Sequence, residues 1–238
     1  MTIGYGADLV ATGQLEAAVA GGSDALCRTA LSGFNALRVV DLQPCRPFDV
    51  SRAGMNIGEA GAMLVLEPLE RAQARGAHIY AELAGYGAYC EAFHATAPEP
   101  DGVAMAGLLT AALTASGVAP EEVDHLNAHG TGTPQNDRTE ARGIRRVFGE
   151  RGRTIPLTSI KSMVGHCLGA AGAVEAAALA LTIDRGVIPP TIHHSQTDPE
   201  CEITVVANQA WRQQVRCAIS TSLAFGGNDA AVVMRRVD

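Results

Sequence analysis

Aromatic and charged residues are scarce in this sequence of 238 residues. Phe, Trp and Tyr together make up 4% of it and Asp, Glu, Lys and Arg 18%, whereas hydrophobic residues make up 47%. The formal net charge is −7, and no run of Lys or Arg alternates with aromatic residues. The missing basic face argues against a nucleic-acid binder, and the large apolar fraction predicts a globular protein with a large core.

Signals for secretion, for membrane insertion and for metal binding are also missing. The N-terminal segment MTIGYGADLV has neither the basic start nor the apolar run of a signal peptide. The most apolar stretch, 167–183, contains Glu175 and several glycines, so it predicts a core helix and no membrane span. None of the six cysteines forms a C-x-x-C pair. We therefore expect a cytoplasmic protein without a metal site, whose cysteines are small buried hydrophobic residues.

Apolar strands and helices alternate along the chain. Strands are predicted at 16–22, 60–67, 79–86, 123–128, 155–159, 216–222 and 230–235. Helices are predicted at 3–12, 30–40, 68–75, 102–116, 138–148 and 167–183, and loops at 45–58, 92–100 and 193–202. This order predicts an α/β protein with layered sheets. No low-complexity linker divides it, so we expect one structural unit.

The stretch 158–181, TSIKSMVGHCLGAAGAVEAAALAL, organises the chain. It contains Lys161, a tight turn, His166 and a run of Ala, Gly and Leu that only Glu175 interrupts. A helix that is apolar on nearly every face lies inside a protein, and its N-terminus favours nearby negative charge. His166 there can donate a hydrogen bond to a developing anion. A core histidine beside a structural Lys161–Glu175 pair explains the pattern equally well, and the stretch by itself favours that simpler interpretation.

A second candidate is the stretch 127–137, NAHGTGTPQND. A buried strand carries His129 into a loop whose two glycines let the backbone come close to a ligand. Thr131 and Thr133 offer hydroxyls to a ligand that contains amides, and a histidine at the end of a strand is well placed for catalysis. A turn histidine with two capping threonines would produce the same pattern.

The third candidate is the stretch 220–229, STSLAFGGND. The turn at Phe225, Gly226 and Gly227 can expose a backbone N–H as an oxyanion donor, or it can act as the hinge of a small gate. An ordinary Gly-Gly hairpin between two strands is the alternative. Fingerprints for a serine-hydrolase elbow, a dinucleotide site and a phosphate loop are all incomplete in this sequence.

Taken in order, seven motifs resemble the β-ketoacyl synthases, in particular the elongating, two-histidine type of fatty-acid and polyketide synthesis. They are AGGSD at 20–24, RPFD at 46–49, GEAG at 58–61, NAHGTGTP at 127–134, SIKSMVGHCLGAAG at 159–172, IPPT at 188–191 and FGGN at 225–228. The resemblance covers essentially the whole chain. It implies a thiolase-like layered αβαβα fold in which most of the N-terminal half is missing. Residues 1–60 then correspond to the tail of the N-terminal ketosynthase half and residues 61–238 to the C-terminal half.

The resemblance also implies a decarboxylative Claisen condensation. Malonyl on the phosphopantetheine of acyl carrier protein loses carbon dioxide, and the enolate attacks an acyl thioester held on a cysteine; no bound cofactor is implied. His129 and His166 match two neutral donors at the malonyl thioester oxygen, where negative charge builds. Lys161, paired with Glu175, matches the residue that sets the local field.

Other site residues follow from the same resemblance. Thr131 and Thr133 match residues that hydrogen-bond the pantetheine arm. The N–H of Phe225 matches one half of the oxyanion hole, and its ring with Gly226 and Gly227 matches the gate of the family.

The family's nucleophilic cysteine has no counterpart in this sequence. Cys167 and Cys27 are the nearest candidates, and neither occupies the position of that residue. We therefore expect either pairing with a cysteine-bearing N-terminal half, or a truncated, inactive fragment; a homodimer through the strand at 16–22 is a further expectation. A non-catalytic subunit that resembles the chain-length factors is the alternative, although those subunits tend to lose the histidines that are kept here.

The missing half also predicts low stability. The central helix would bury a face against it, and losing about 1,000 Å² of apolar burial removes roughly 25 kcal/mol, more than the net stability of a domain. We therefore expect an open apolar face on this helix and poor folding of the chain alone.

Overall fold

The computed structural model describes residues 1–237. The helices are α1 (Thr2–Ala11), α2 (Arg28–Ala36), α3 (Leu69–Ala74), α4 (Val103–Ser116), α5 (Pro134–Phe148), α6 (Lys161–Val164) and α7 (Ala171–Arg185). The strands are β1 (Ala18–Asp24), β2 (Ala60–Leu66), β3 (Glu82–Cys90), β4 (His125–Asn127), β5 (Pro156–Thr158), β6 (Val187–Ile188), β7 (Thr204–Val205), β8 (Trp211–Arg212), β9 (Cys217–Ser222) and β10 (Asn228–Arg235).

A six-stranded mixed sheet forms the centre of the described part, in the order β3-β10-β9-β4-β5-β7. Strands β9, β4, β5 and β7 are parallel, and β10 runs antiparallel to both β9 and β3. The carboxyl ends of parallel strands meet at one edge of a sheet, which is where α/β proteins bind their ligands. Here the segments that follow β4, β5 and β9 carry His129, Lys161 and Phe225.

Helices cover both faces of this sheet. On one face α4 and α5 pack over a core that includes Leu108, Leu109, Ile144, Leu157 and Ile219, all of them almost completely buried. On the other face α7 contributes Ala176, Leu179 and Ile183 to a second core, which also contains Ile188 and Ala218. Because both faces of the sheet are covered, its central strands β4 and β9 are buried along nearly their whole length, polar residues included.

A second, two-stranded sheet lies beyond α7. Strands β1 and β2 pair antiparallel from Ala18–Leu66 to Asp24–Ala60, and both α7 and α1 pack against this ribbon. The layers are therefore helix, sheet, helix and ribbon, as the predicted αβαβα arrangement requires for a chain that lacks part of it. The ribbon crosses the boundary we predicted at residue 60, and that division of the chain stays a prediction.

We predicted an open apolar face on the central helix. One stripe of α7 at helical spacing stays half-buried to exposed, and it consists of Val174, Ala177, Ala178 and Leu181. The outer face of the ribbon forms a second apolar surface, where Val19, Met63 and Val65 are exposed by 61–70%. Side chains alternate along a strand, so one face of the ribbon covers the helices while the other carries no layer within residues 1–237.

Several element boundaries differ from the predicted ones. The helix predicted at 30–40 ends at Ala36, because Arg38 adopts a left-handed backbone conformation with φ of 57°. The strand predicted at 79–86 lies at Glu82–Cys90, where pairing with β10 extends it. The short strands β6, β7 and β8 were not predicted. Within residues 1–237 no helix combines the length and apolar character that crossing a bilayer requires.

Candidate active site

The buried ammonium of Lys161 connects the loops that follow β4 and β5. Its Nζ donates to the backbone carbonyl of His129 at 2.6 Å and to the carboxylate of Glu175, and it lies 3.3 Å from Nδ1 of His129. The side chains of Lys161 and Glu175 are each only 2% exposed. An ammonium has three donors, so these three acceptors satisfy it completely. Burial raises the pKa of Glu175, and the Lys161 charge opposes that rise.

The two histidines of the site have the same tautomer, which can be assigned from their neighbours. The Nδ1 atom of His166 accepts the Leu168 N–H at 3.2 Å, and Nδ1 of His129 faces the ammonium of Lys161. A neutral imidazole carries its proton on the nitrogen that does not accept. Both Nε2 atoms therefore carry hydrogen and are available as donors.

Burial keeps both imidazoles neutral. It lowers the pKa of His166 to about 3, with a further contribution from the Lys161 charge. It lowers the pKa of His129 well below the ordinary value of 6.5, again with help from Lys161. The two rings meet edge to face, with centroids 5.2 Å apart. The pair can thus present two uncharged N–H donors to one oxygen atom.

Glu140, on α5, holds the backbone of the His129 loop. Its carboxylate accepts the N–H of His129 at 2.6 Å, the N–H of Gly130 at 2.8 Å and the hydroxyl of Thr221 at 2.7 Å. The side chain is completely buried, and desolvation raises its pKa to about 7 against these hydrogen bonds. Helix α5, which follows the His129 loop in the chain, therefore holds the backbone of that loop through Glu140.

The next turn of the same loop is anchored by Asp137. Its carboxylate accepts the N–H of Gly132 at 3.2 Å and the N–H of Phe48 at 2.8 Å, and it lies 3.3 Å from Nε of Arg52. The hydroxyls of Thr131 and Thr133 are 2.8 Å apart within this loop. The RPFD motif and the His129 motif, distant in sequence, thus form one structure.

A cavity of about 630 Å³ opens above these residues. Its lining includes His129, His166, Thr131, Thr133, Phe225, Gly226, Phe34, Arg38, His94 and Asp229. Six of the nine site residues predicted from the sequence line the cavity: the two histidines, the two threonines, Phe225 and Gly226. A seventh, Lys161, lies directly behind His129. Glu175 and Gly227 do not line the cavity.

The turn at Phe225 closes one side of the cavity. Gly226 N–H donates to the carbonyl of Ala95 at 2.9 Å and Gly227 N–H to that of Ala224 at 3.0 Å, whereas Phe225 N–H has no acceptor within residues 1–237. The ring of Phe225 is 44% exposed and lies 5.6 Å from the ring of Phe34. A free N–H on a cavity wall can serve as an oxyanion donor.

No cysteine lines this cavity in the described part of the chain. The thiol of Cys45, whose Sγ donates to the Thr131 carbonyl at 3.3 Å, has a pKa that burial raises to about 12. Burial also raises the pKa of Cys167. The thiolate is the nucleophilic form, so neither residue is prepared to form a thioester. Among residues 1–237, no three His, Cys, Asp or Glu side chains come together in a way that could hold a metal ion.

Sequence reasoning missed several residues of this site. Glu140, Arg52, Phe34 and His94 were not selected, although each contacts the loops or lines the cavity. A usable signal existed only for Glu140. It follows Asn136 by one helical turn, and both are buried polar residues on one face of α5. Phe34 lies on helix α2 and Arg52 and His94 lie in loops, and only the tertiary fold brings these segments to the cavity.

Two models of one protein family match the chain. The model described as "Beta-ketoacyl synthase, N-terminal domain" matches residues 2–72, and "Beta-ketoacyl synthase, C-terminal domain" matches residues 80–195. Among curated proteins, "3-oxoacyl-[acyl-carrier-protein] synthase 2" of Staphylococcus aureus (strain COL) is 42% identical over 243 residues, which cover 100% of this chain and 59% of that protein. The chain thus spans about three fifths of the length of this relative.

Solved structures agree with this match. "The ishigamide ketosynthase/chain length factor" superposes with a TM-score of 0.95 at 44% identity, covering 100% of this chain and 58% of that one. The AntDE:AntF complex, a type II PKS acyl-carrier protein with its ketosynthase bound to the hexaketide, gives a TM-score of 0.96 at 38% identity, covering 99% and 60%.

Proposed function

Because the chain belongs to the β-ketoacyl synthase family, we propose that it activates malonyl-acyl carrier protein in a decarboxylative Claisen condensation, as part of a 3-oxoacyl-[acyl-carrier-protein] synthase of fatty-acid or polyketide synthesis. One observation carries the proposal. The Nδ1 atoms of His129 and His166 both face donors, so two neutral Nε2–H groups are left for one oxygen in the cavity.

The chemistry follows from these two donors. The bond between the malonyl carboxylate and its α-carbon breaks, carbon dioxide leaves, and the electron pair moves onto the thioester oxygen as an enolate. Two N–H groups that are fixed in advance stabilise this charge without solvent reorganisation. Lys161 holds His129 by its carbonyl and its Nδ1, and Glu175 holds Lys161. The enolate carbon then attacks the carbonyl carbon of an acyl thioester. The new carbon–carbon bond forms, the carbon–sulfur bond breaks, and the sulfur leaves as a thiolate.

The remaining cavity residues suit the other parts of the substrate. We assign Thr131 and Thr133 to the amides of the phosphopantetheine arm, because their hydroxyls lie on the cavity wall. We assign the free N–H of Phe225 to the acyl thioester oxygen, and its ring with Gly226 and Gly227 to a gate. The substrate is carried by acyl carrier protein, and no other cofactor is required.

In our proposal, none of the cysteines of this sequence holds the acyl group, and a partner supplies the thiol. The buried thiols of Cys45 and Cys167 are far from ionisation, and a condensing enzyme needs a thiolate. We therefore propose pairing with a cysteine-bearing N-terminal ketosynthase half, in a dimer and in the cytoplasm.

A non-catalytic subunit is the second candidate, because one structural neighbour combines a ketosynthase with a chain length factor. The buried Lys161, its three acceptors and both donor imidazoles favour the ketosynthase. A subunit without chemistry has no use for a fully satisfied buried ammonium that orients a histidine.

The deciding experiment follows release of carbon dioxide from malonyl-acyl carrier protein incubated with the purified chain. We expect decarboxylation, and we expect His129→Ala to lower its rate by about 100-fold or more, since one donor to a developing oxyanion contributes roughly that much. His78→Ala is the control, because His78 is an exposed histidine whose Nε2 pairs with Asp184. A folded chain with no decarboxylation, or a His129→Ala variant as active as the control, would contradict the proposal. With acyl-loaded carrier protein we expect no covalent adduct on any of the six cysteines.

A further inference from the structure

A buried carboxyl group lies beside the Phe225 turn, which we define as residues 224–227. Asp229 is 2% exposed and lines the cavity. Its Oδ1 accepts the N–H of Ala224 at 3.1 Å. Its Oδ2 is also buried but finds no hydrogen-bond partner within residues 1–237. The mechanism proposed above uses neither oxygen.

The hydrogen bond from Ala224 to Asp229 attaches the N-terminal side of the turn. A second attachment is the bond from Gly226 N–H to the carbonyl of Ala95 at 2.9 Å. Ala95 belongs to the loop at 91–99, which is joined to the turn a second time by Glu91 N–H and the Gly227 carbonyl at 3.0 Å. If the Asp229 bond is lost, the N-terminal side of the turn loses the one side-chain anchor that residues 1–237 give it.

The protonation state of this carboxyl affects the anchor. A neutral acid tolerates burial with one oxygen unpaired, but a carboxylate does so only with several donors. Asp229 has one donor. Ionisation therefore favours any movement of the turn that lets water reach Oδ2.

We propose that Asp229 positions the Phe225 turn and that the protonation of its carboxyl decides how firmly the turn is held closed. The functional meaning of this switch rests on the proposed role of Phe225 as oxyanion donor and gate. The switch itself rests on the carboxyl, its single donor and the turn.

The surroundings of Asp229 also favour its neutral, protonated form. Burial raises the pKa of Asp229, the bond from Ala224 lowers it and the negative charge of Glu91 raises it, and together they leave the pKa at about 6. Tyr89 of β3 lies opposite Asp229 in the strand register, and Glu91 follows directly after β3. The other titratable or charged residues that line the same cavity are Arg38, His94, His129 and His166. Helix α4, which packs on β10, carries no charged residue.

The sign of the pH effect follows from linkage. In the closed turn the pKa is about 6, and in an open, hydrated turn it is near the ordinary value of 3.8. The closed turn therefore binds the proton more tightly and is favoured at low pH, and opening increases as pH rises from about 4 to 6. Between pH 4.5 and pH 7 the opening equilibrium should increase by about 20-fold.

Amide hydrogen exchange of the full chain, followed by mass spectrometry, tests this. After correction for intrinsic exchange rates, protection of the peptide with the amides of 224–227 should fall by about 20-fold between pH 4.5 and pH 7. Asp229→Asn keeps an oxygen for Ala224 and cannot ionise, so its protection should be independent of pH. In Glu91→Gln the transition should move to lower pH, because a repelling charge is removed.

Asp124→Asn is the matched control. Asp124 also accepts backbone N–H groups, those of Arg216 at 2.7 Å and Cys217 at 3.2 Å, but at a different part of the sheet. The pH dependence of amide protection at 224–227 in the Asp124→Asn variant should match that of the wild type. Identical profiles for the wild type and Asp229→Asn would overturn the proposal.

A second measurement needs no variant. In chain labelled with [13C]aspartate, the Asp229 carboxyl resonance should titrate well above pH 5, and titration near pH 4 would also overturn the proposal. Neither experiment uses malonyl substrate. A chain that shows the switch but no decarboxylation refutes only the proposed function, and the reverse result refutes only the switch.

Discussion

The imidazole rings of His129 and His166 meet at an angle of 82°, with their centroids 5.2 Å apart. One ring follows β4, and the other follows the short helix α6. Between them, Lys161 donates to the carbonyl of His129 and faces its Nδ1 atom. The arrangement leaves one nitrogen of each ring directed away from the protein's own donors.

The first prediction concerns the protonation of the two rings. In 15N spectra of histidine-labelled chain, both should appear as the neutral Nε2–H tautomer at pH 7, and His166 should remain neutral down to about pH 4, because burial lowers its pKa to about 3. The unfolded chain takes up this proton near pH 6.5. Relative to His166→Gln, the wild type should therefore lose about 1–2 kcal/mol of unfolding free energy between pH 7 and pH 5. A ring that protonates between pH 6 and 7 would contradict the assignment.

The second prediction concerns Lys161 and Glu175. Lys161→Met removes the cation from a completely buried carboxyl, and it should lower the free energy of unfolding by about 3–5 kcal/mol. This loss of unfolding free energy should be smaller at pH 5 than at pH 8, because at pH 5 the unpaired Glu175 of the variant takes up a proton. The double variant Lys161→Met/Glu175→Gln should be more stable than the sum of the single changes predicts. Urea unfolding measures all three, and strict additivity would show that the pair is not coupled.

The third prediction concerns the two glycines after Phe225. Both have positive φ, 80° at Gly226 and 72° at Gly227, so alanine at either position should cost about 1–2 kcal/mol. A Cβ at Gly227 would also overlap Cγ of Glu91 and crowd the Ala92 N–H, whereas one at Gly226 meets only the Asn228 amide at 3.3 Å. Gly227→Ala should therefore be clearly the more destabilising of the two in thermal unfolding.

Gly33→Ala provides the control for this comparison. Gly33 lies within α2, and a Cβ there meets no atom within 4 Å. Alanine should stabilise that helix by up to about 1 kcal/mol. Equal effects at positions 226 and 227 would show that the contact with Glu91 does not restrain the turn.

The fourth prediction concerns Thr131 and Thr133. Replacing either hydroxyl with Val should raise KM for malonyl-acyl carrier protein and leave kcat for decarboxylation nearly unchanged, because a contact to the pantetheine arm is the same in ground and transition states. Each lost hydrogen bond corresponds to about 0.5–1.5 kcal/mol, or roughly a 2- to 10-fold rise in KM. Thr110→Val is the control, since its hydroxyl bonds only the Ala106 carbonyl in its own helix. A fall in kcat without a change in KM would instead place the two residues at the reacting atoms.

Local patterns were enough to predict most elements of the fold. The strand at 60–67 and the helix at 102–116 agree with Ala60–Leu66 and Val103–Ser116 within two residues. Both are bounded by Gly or Pro, and both have continuous apolar sequence. The two-residue strands β6, β7 and β8 could not be predicted in this way, because pairing with distant segments creates them and their own sequences are too short to show a period.

The surroundings of the central helix could not be predicted for a related reason. A helix rich in Ala indicates burial but does not identify its neighbours. In the structure α7 packs against the sheet and the β1–β2 ribbon while one of its stripes stays half-buried to exposed, and the outer face of the ribbon exposes Val19, Met63 and Val65 as well.

By itself the sequence determined the family and the layered α/β class and predicted a short set of site residues, because each motif is a local feature with its own turn chemistry. Only the tertiary structure decided how those residues are arranged. The ends of three parallel strands bring His129, Lys161 and Phe225 together, and burial there keeps two imidazoles neutral. Burial also raises the pKa values of Glu140 and Asp229, because the pKa and the partners of a carboxyl group depend on what the folded chain packs around it.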